Sequence, residues 1–140
     1  MPYRWIDRCL DSVRHWCALR GCDYRFTGDE LFDCVPDSIR DKTRSQPVIA
    51  TDLARLLTLR DALNTGYERV VWMDADVLIL EPSAFALPDE PCAFGREVWV
   101  QHDRYGRLKS YKKIHNAFLM FAQGDSFLDF YAHSAERLLR

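Results

Sequence analysis

Long apolar runs are missing from this chain of 140 residues. None approaches the roughly 20 consecutive apolar residues that a membrane-spanning helix needs, and the first five residues lack the apolar stretch of a secretory signal. A large excess of one charge is also missing, because the formal net charge is only −2. We therefore expect no membrane span, no nucleic-acid partner and a cytoplasmic location.

The sequence also lacks any Cys-x-x-Cys pair, although it contains five cysteines. Cys9 and Cys17 fall on the apolar face of an amphipathic helix predicted from Tyr3 to about Arg20. We interpret them as buried free thiols in a reducing compartment, with a zinc site as the alternative.

Apolar residues make up 48% of the chain and charged residues 29%, which is enough apolar material for a packed core. The length is that of one domain, so we treat residues 1–140 as a single domain. The chain stops inside a helix-like pattern, which indicates that this domain is incomplete.

The order of predicted elements favours an α/β fold with a mostly parallel sheet and flanking helices. A short aromatic strand is predicted at Asp23–Phe26, the clearest helix at Pro47–Leu63, and an apolar strand from Val70. Strand, helix and strand in this order form a β-α-β unit, which is normally parallel and right-handed. Further predictions are a loop with short helical pieces at 28–45, strands at 93–100 and 116–121, an exposed loop or hairpin at 103–113, and a helix at 125–140.

Two carboxylates follow the apolar run of the Val70 strand. Asp74 and Asp76 stand one residue apart where the strand ends, and ligands of open α/β sheets bind at such carboxyl ends. Two hard oxygen ligands suit Mg²⁺ or Mn²⁺ that carries phosphates. The alternative is an acidic turn whose side chains accept bonds from nearby backbone amides.

A second polar cluster lies on the preceding helix, in the sequence Thr51-Asp52-Leu53-Ala54-Arg55. Asp52 and Arg55 are three residues apart and therefore neighbours on the helix surface. They form either an ordinary surface ion pair or an ordered pair near a diphosphate, to which Arg55 offers a planar fork of donors.

The combination of Thr51-Asp52-x-x-Arg55, a leucine-rich helix and Val-Val-Trp-Met-Asp74-x-Asp76 resembles GT-A-type glycosyltransferases. The similarity is to the glycogenin-like and the DxD sugar-binding, mannosyltransferase-related enzymes of bacterial type. It implies a partial, Rossmann-like nucleotide-diphospho-sugar transferase fold. It also implies transfer of a sugar from a UDP- or GDP-sugar to a hydroxyl acceptor on a glycan, lipid or protein.

The resemblance also implies roles for individual residues. Asp76 would coordinate Mn²⁺ or Mg²⁺, and Asp74 would contact the ribose or the metal with its water shell. Thr51, Asp52 and Arg55 would help to hold the donor.

Two later segments are candidates to complete the pocket. Arg96 could contact a phosphate or sugar hydroxyl and Glu97 an acceptor hydroxyl, or both could lie on a solvent-exposed edge. His115 and Asn116 precede an apolar strand, where the family often places residues that hydrogen-bond the donor sugar. The alternative is an ordinary polar strand start.

The sequence departs from the GT-A pattern in lacking a recognisable first strand and a late histidine as third metal ligand. One alternative is therefore a degenerate domain that binds nucleotide sugars without turnover. Another is a phosphatase of the haloacid-dehalogenase type, in which Asp74 would be the nucleophile.

Overall fold

The computed structural model describes residues 4–140, which form four α-helices, one 3₁₀ helix and three strands. The helices are α1 (Arg4–Arg20), a 3₁₀ helix (Asp29–Cys34), α2 (Asp37–Lys42), α3 (Pro47–Asn64) and α4 (Ser126–Leu139). The strands are β1 (Arg69–Met73), β2 (Cys92–His102) and β3 (Leu108–Ala122). No helix in the described range is long and apolar enough to cross a bilayer.

The three strands form one antiparallel sheet in the order β1-β3-β2. β3 is the central strand, and both β1 and β2 run antiparallel to it. The expectation of a mostly parallel, Rossmann-like sheet is therefore wrong, although the domain does combine helices with a sheet.

The error came from the segment Asp23–Phe26, which forms no strand. Without it α3 does not connect two parallel strands, and the predicted β-α-β unit does not exist. The apolar run of β1 correctly indicated a strand with cover on both faces. Burial on both faces is also possible in an antiparallel sheet when helices pack on each side, so the run alone did not fix the direction of its partner.

The helices cover the two faces of the sheet near β1. On one face, α3 and α4 enclose the largest apolar cluster, whose buried members are Leu56, Leu59, Val70, Leu119, Phe121, Leu128 and Ala132. On the other face, Trp16 of α1 packs with Ile79, and Met73 joins them from β1. The sheet is thus the middle layer of the domain.

The predicted helices and the hairpin are confirmed within the described residues. The amphipathic helix begins at Arg4, since Tyr3 lies outside the described range, and the helix from Pro47 ends at Asn64. The segment predicted as a loop with short helical pieces contains the 3₁₀ helix and α2, and β2 and β3 form a hairpin. Cys9 and Cys17 are free and buried, as expected.

The pairing of β2 with β3 is interrupted at Gly95. Phe94 lies opposite Leu119, but Gly95 lies opposite His115, so β3 residues 116–118 have no partner on β2. A Cβ atom at Gly95 would come within 2.9 Å of the His115 carbonyl oxygen. Glycine therefore permits the close approach that frees this segment of β3 from the β2 ladder.

We expect Gly95→Ala to destabilise the domain by about 1–2 kcal/mol, because the added methyl group meets backbone rather than a flexible side chain. Urea unfolding followed by circular dichroism measures the change. Gln101→Ala, at an exposed position on the same strand, should unfold at nearly the wild-type urea concentration. Equal midpoints for the two variants would contradict the role given to Gly95.

Candidate functional site

The turn after β1 carries the two aspartates. The Asp74 amide donates to the Ala117 carbonyl at 2.9 Å, which extends the pairing with β3 by one bond, and the Val77 amide then donates to the Asp74 carbonyl at 3.0 Å. This second bond closes a turn over residues 74–77. The turn therefore begins at a fixed point on the sheet.

Helix α1 holds the far side of the same turn. The Cys9 thiol lies 3.5 Å from the Asp76 carbonyl oxygen, and the Ser12 hydroxyl accepts a bond of 3.0 Å from the Ile79 amide. The loop that carries Asp76 is thus tied to a helix as well as to a strand. The sequence analysis did not connect Cys9 or Ser12 with this turn, since neither stands near Asp76 in the sequence.

Arg55 lies at the centre of the site and is only 6% exposed. Its Nη1 atom donates to the Asn116 carbonyl at 2.8 Å and lies 3.4 Å from the Asp74 Oδ1 atom. Its Nη2 atom lies 3.5 Å from the Asp52 Oδ1 atom. One guanidinium therefore connects α3, the turn after β1 and the bulged segment of β3, as its planar fork of donors allows.

Asn116 joins the cluster through its side chain as well. Its Nδ2 atom donates to the Asp52 Oδ1 atom at 2.8 Å. This contact depends on the bulge, because Asn116 belongs to the part of β3 that has no β2 partner. Asp52, Arg55, Asp74 and Asn116 thus form one connected group, called the Arg55 cluster below.

Trp72 also belongs to the site. The sequence analysis placed it in the strand and gave it no role in the site. Its indole Nε1 donates to the Asp74 Oδ1 atom at 2.6 Å, and the Arg55 guanidinium carbon lies 5.7 Å from the Trp72 ring centroid. Residues two apart on a strand share a face, so the spacing of Trp72 and Asp74 could have indicated this contact.

The remaining predicted site residues lie outside the Arg55 cluster. The Thr51 hydroxyl donates to the Pro47 carbonyl at 3.1 Å, within its own helix. Arg96 is exposed on β2. Glu97 and His115 pair with each other, with 3.8 Å between Oε2 and Nε2, and His115 Nδ1 accepts from the Ala117 amide at 3.0 Å. Glu97 lies on the opposite sheet face from Phe94, which packs on α4.

Asp76 differs from Asp74 in being exposed. Within residues 4–140, no side chain forms a hydrogen bond or an ion pair with the Asp76 carboxylate. Asp74 has one oxygen engaged by Trp72 and Arg55. The turn thus offers one free carboxylate and one that is already oriented.

Carboxylates outnumber the guanidinium in this cluster. Asp52 and Asp74 both lie against Arg55, and Asp76 adds a third carboxylate two residues after Asp74. Neighbouring carboxylates repel unless a cation compensates them. The site is therefore suited to a cation that approaches from the solvent side of the turn.

Asp74 and Asp76 carry carboxylate oxygens, the donor type that a hard divalent ion takes from a protein. Mg²⁺ characteristically binds one or two carboxylates, keeps several waters and takes the rest of its ligands from substrate phosphates. In the described part of the chain, no group of three or more His, Cys, Asp or Glu side chains could hold a metal ion. The predicted ligands Asp74 and Asp76 supply at most two side chains.

No family model, curated protein or solved structure matches this chain.

Proposed function

We propose that this domain binds a nucleoside-diphosphate sugar together with Mn²⁺ or Mg²⁺ and transfers the sugar to a hydroxyl acceptor. The observation that carries the proposal is the convergence of three segments on Arg55. Asp52, Asp74 and Asn116 stand far apart in the sequence, and each lies within 3.5 Å of the Arg55 guanidinium or of another member of the Arg55 cluster. The sequence analysis assigns each of them a role in holding the donor or the ion.

Each polar group in the site has a distinct task under this proposal. Asp76 is the free carboxylate and is the direct ligand for the ion, while Asp74 is held in place by Trp72 and Arg55. Arg55 is a positioning residue, because its guanidinium is buried and already bonded within the protein. Asp52 is about half exposed, so its second oxygen is free to accept a bond from a sugar hydroxyl.

A bound divalent ion would supply Lewis-acid stabilisation of the charge that develops on the leaving diphosphate. The residues of this chain would orient the donor, and Trp72 and Arg55 would hold the Asp74 carboxylate in place. Such positioning is a large part of catalysis, because a bimolecular encounter becomes a reaction between groups that are already in place.

A thermal-shift series tests the proposal directly. We expect a UDP-sugar or a GDP-sugar to raise the melting temperature when Mn²⁺ is present. The donor alone or the ion alone should raise the melting temperature by less. At a donor concentration of about 100 times Kd, the stabilisation should be about 2.7 kcal/mol. No shift with either donor series would contradict the proposal.

Turnover separates this proposal from its two rivals. Release of nucleoside diphosphate from the same donor in the presence of Mn²⁺ supports a transferase. A metal-dependent shift without release would support a degenerate binding domain. Hydrolysis of a generic phosphate ester that is lost in Asp74→Asn would instead support the phosphatase.

A further inference from the structure

The hairpin extends well beyond the layered part of the domain. Beyond Gly95, β2 residues 96–102 pair only with β3 residues 108–114. Seven residue pairs at about 3.3 Å each give an arm of roughly 23 Å. A turn ordered by Asp103 closes it, because the Asp103 Oδ1 atom accepts bonds from the Tyr105 and Arg107 amides at 2.8 and 3.0 Å.

One face of this arm is exposed and combines aliphatic and basic side chains with the polar residues His102 and Ser110. Cross-strand partners and alternate residues share a face, so the register places four aliphatic side chains together: Val98, Val100, Leu108 and Ile114. Their exposed fractions are 59%, 65%, 70% and 73%. Arg96 and Lys112 lie on the same face, opposite Ile114 and Val98. These six residues are called the arm face below.

The charge of the arm is opposite to that of the rest of the chain. Residues 96–115 contain six Lys or Arg and two Asp or Glu, a formal charge of +4. The other residues contain 13 basic and 19 acidic side chains, a formal charge of −6. The near-neutral total is therefore the sum of a basic arm and an acidic remainder of the chain.

We propose that the arm face docks on an anionic lipid surface. Surfaces that lie in the headgroup region combine aliphatic side chains, which enter the acyl boundary, with Lys and Arg that meet anionic headgroups. The arm has both on one face, and at its tip Tyr105 is 69% exposed, with the Arg104 guanidinium 4.7 Å from its ring centroid. Tyrosine is a side chain typical of the membrane interface.

Two other partners fit the arm less well. A symmetric second copy would place two arms of formal charge +4 against each other, and like charges across an interface repel. A single-stranded nucleic acid needs free aromatic faces on which bases stack. Trp99 and Tyr111 lie on the other face, and lysine ammonium groups stand 4.3 and 5.4 Å from their ring centroids.

Vesicle sedimentation tests this inference without metal or donor, so its outcome does not depend on the proposed transfer reaction. We expect binding to phosphatidylcholine vesicles that contain about 30% phosphatidylglycerol, and little binding to pure phosphatidylcholine. Raising the salt from about 0.1 M to about 0.5 M should weaken the binding, since the Debye length shortens. Equal sedimentation with both vesicle types, or with neither, overturns the proposal.

Paired variants then locate the docking surface. Val100→Ser with Leu108→Ser should lower vesicle binding roughly tenfold or more. Arg96→Ala with Lys112→Ala should lower it roughly fivefold for each cation removed. The matched control is Leu80→Ser with Leu138→Ser, at positions 86% and 85% exposed outside the arm, which should bind like the wild type.

Circular dichroism melts show that each variant is folded. If the control loses binding as strongly as the arm variants, the arm face is not the docking surface. A dimer in sedimentation velocity that dissociates in the Val100→Ser/Leu108→Ser variant would assign the arm face to a second copy and overturn the lipid proposal. Oligonucleotide binding that the same variant abolishes would also overturn it.

Discussion

Asp76→Asn should abolish metal-dependent binding of a nucleotide sugar while the protein keeps its fold. The Asp76 carboxylate is exposed and has no side-chain partner in residues 4–140. Its replacement therefore removes the proposed metal ligand without breaking an internal contact. We expect donor affinity in the presence of Mn²⁺ to fall by at least about 100-fold, beyond the loss that outer-shell changes produce. Calorimetric titration of a UDP- or GDP-sugar measures the loss.

The control for this variant is Asp89→Asn, an exposed aspartate away from the site. It removes the same charge, so it separates a ligand effect from a general change in electrostatic potential. Both variants should melt within about a degree of the wild type, because surface substitutions away from special features change stability little. Donor binding by Asp76→Asn at wild-type strength would show that Asp76 does not hold the ion.

Arg55→Ala should produce the second large effect, a loss of both stability and donor binding. Removing one partner of a buried ion pair costs about 3–5 kcal/mol. Here the Asp52 and Asp74 side chains are 49% and 27% exposed, and solvent screens them in part, so we expect about 2–3 kcal/mol. The melting temperature should fall by roughly 6–10 °C.

The comparison variants for Arg55 are Arg55→Lys and Arg8→Ala. A lysine ammonium keeps the charge but lacks the planar fork that reaches three partners, so Arg55→Lys should recover only part of the loss. Arg8 is exposed on α1, and its removal should leave the melting temperature nearly unchanged. If Arg55→Ala melted like Arg8→Ala, the Arg55 cluster would not be holding the three segments together.

The structure brings together four residues that the sequence had indicated for different reasons. Asp52, Arg55 and Asp74 were indicated by spacing and by the resemblance to GT-A enzymes, and Asn116 by the resemblance alone, and the four contact one another. Their roles in binding a donor and an ion stay predictions. The direction of the strands was wrong because pairing is a long-range property. The apolar run of β1 is compatible with either direction, and Asp23–Phe26 has strand-like composition without a neighbouring strand.

Other contacts could not be found from sequence because they depend on distant backbone. Asn116 contacts Asp52 from the segment of β3 that has no β2 partner. Cys9 meets Asp76 through the packing of α1. Arg96 and Glu97 were candidates to complete the pocket, with a solvent-exposed edge as the alternative, and Arg96 is exposed. Successive strand residues point to opposite faces, so only one of the two could have faced a given site.

Net charge does not describe how charge is distributed along the chain. The total of −2 combines a formal charge of +4 in residues 96–115 with −6 in the other residues. Local charge and the sharing of a face by alternate residues decide which surface a partner meets. Both could be calculated from the sequence once residues 96–114 were recognised as one long hairpin.

The most direct test of the central claim is the electron paramagnetic resonance signal of Mn²⁺ during titration with the protein. The claim is that the turn at Asp74 and Asp76 and a diphosphate hold one ion together. A UDP- or GDP-sugar alone lowers the signal of free Mn²⁺ to some extent. The claim predicts a larger fall when the wild-type protein is also present. It also predicts that Asp76→Asn removes this additional fall. An unchanged signal with the wild type, or the same extra fall with Asp76→Asn, would contradict it.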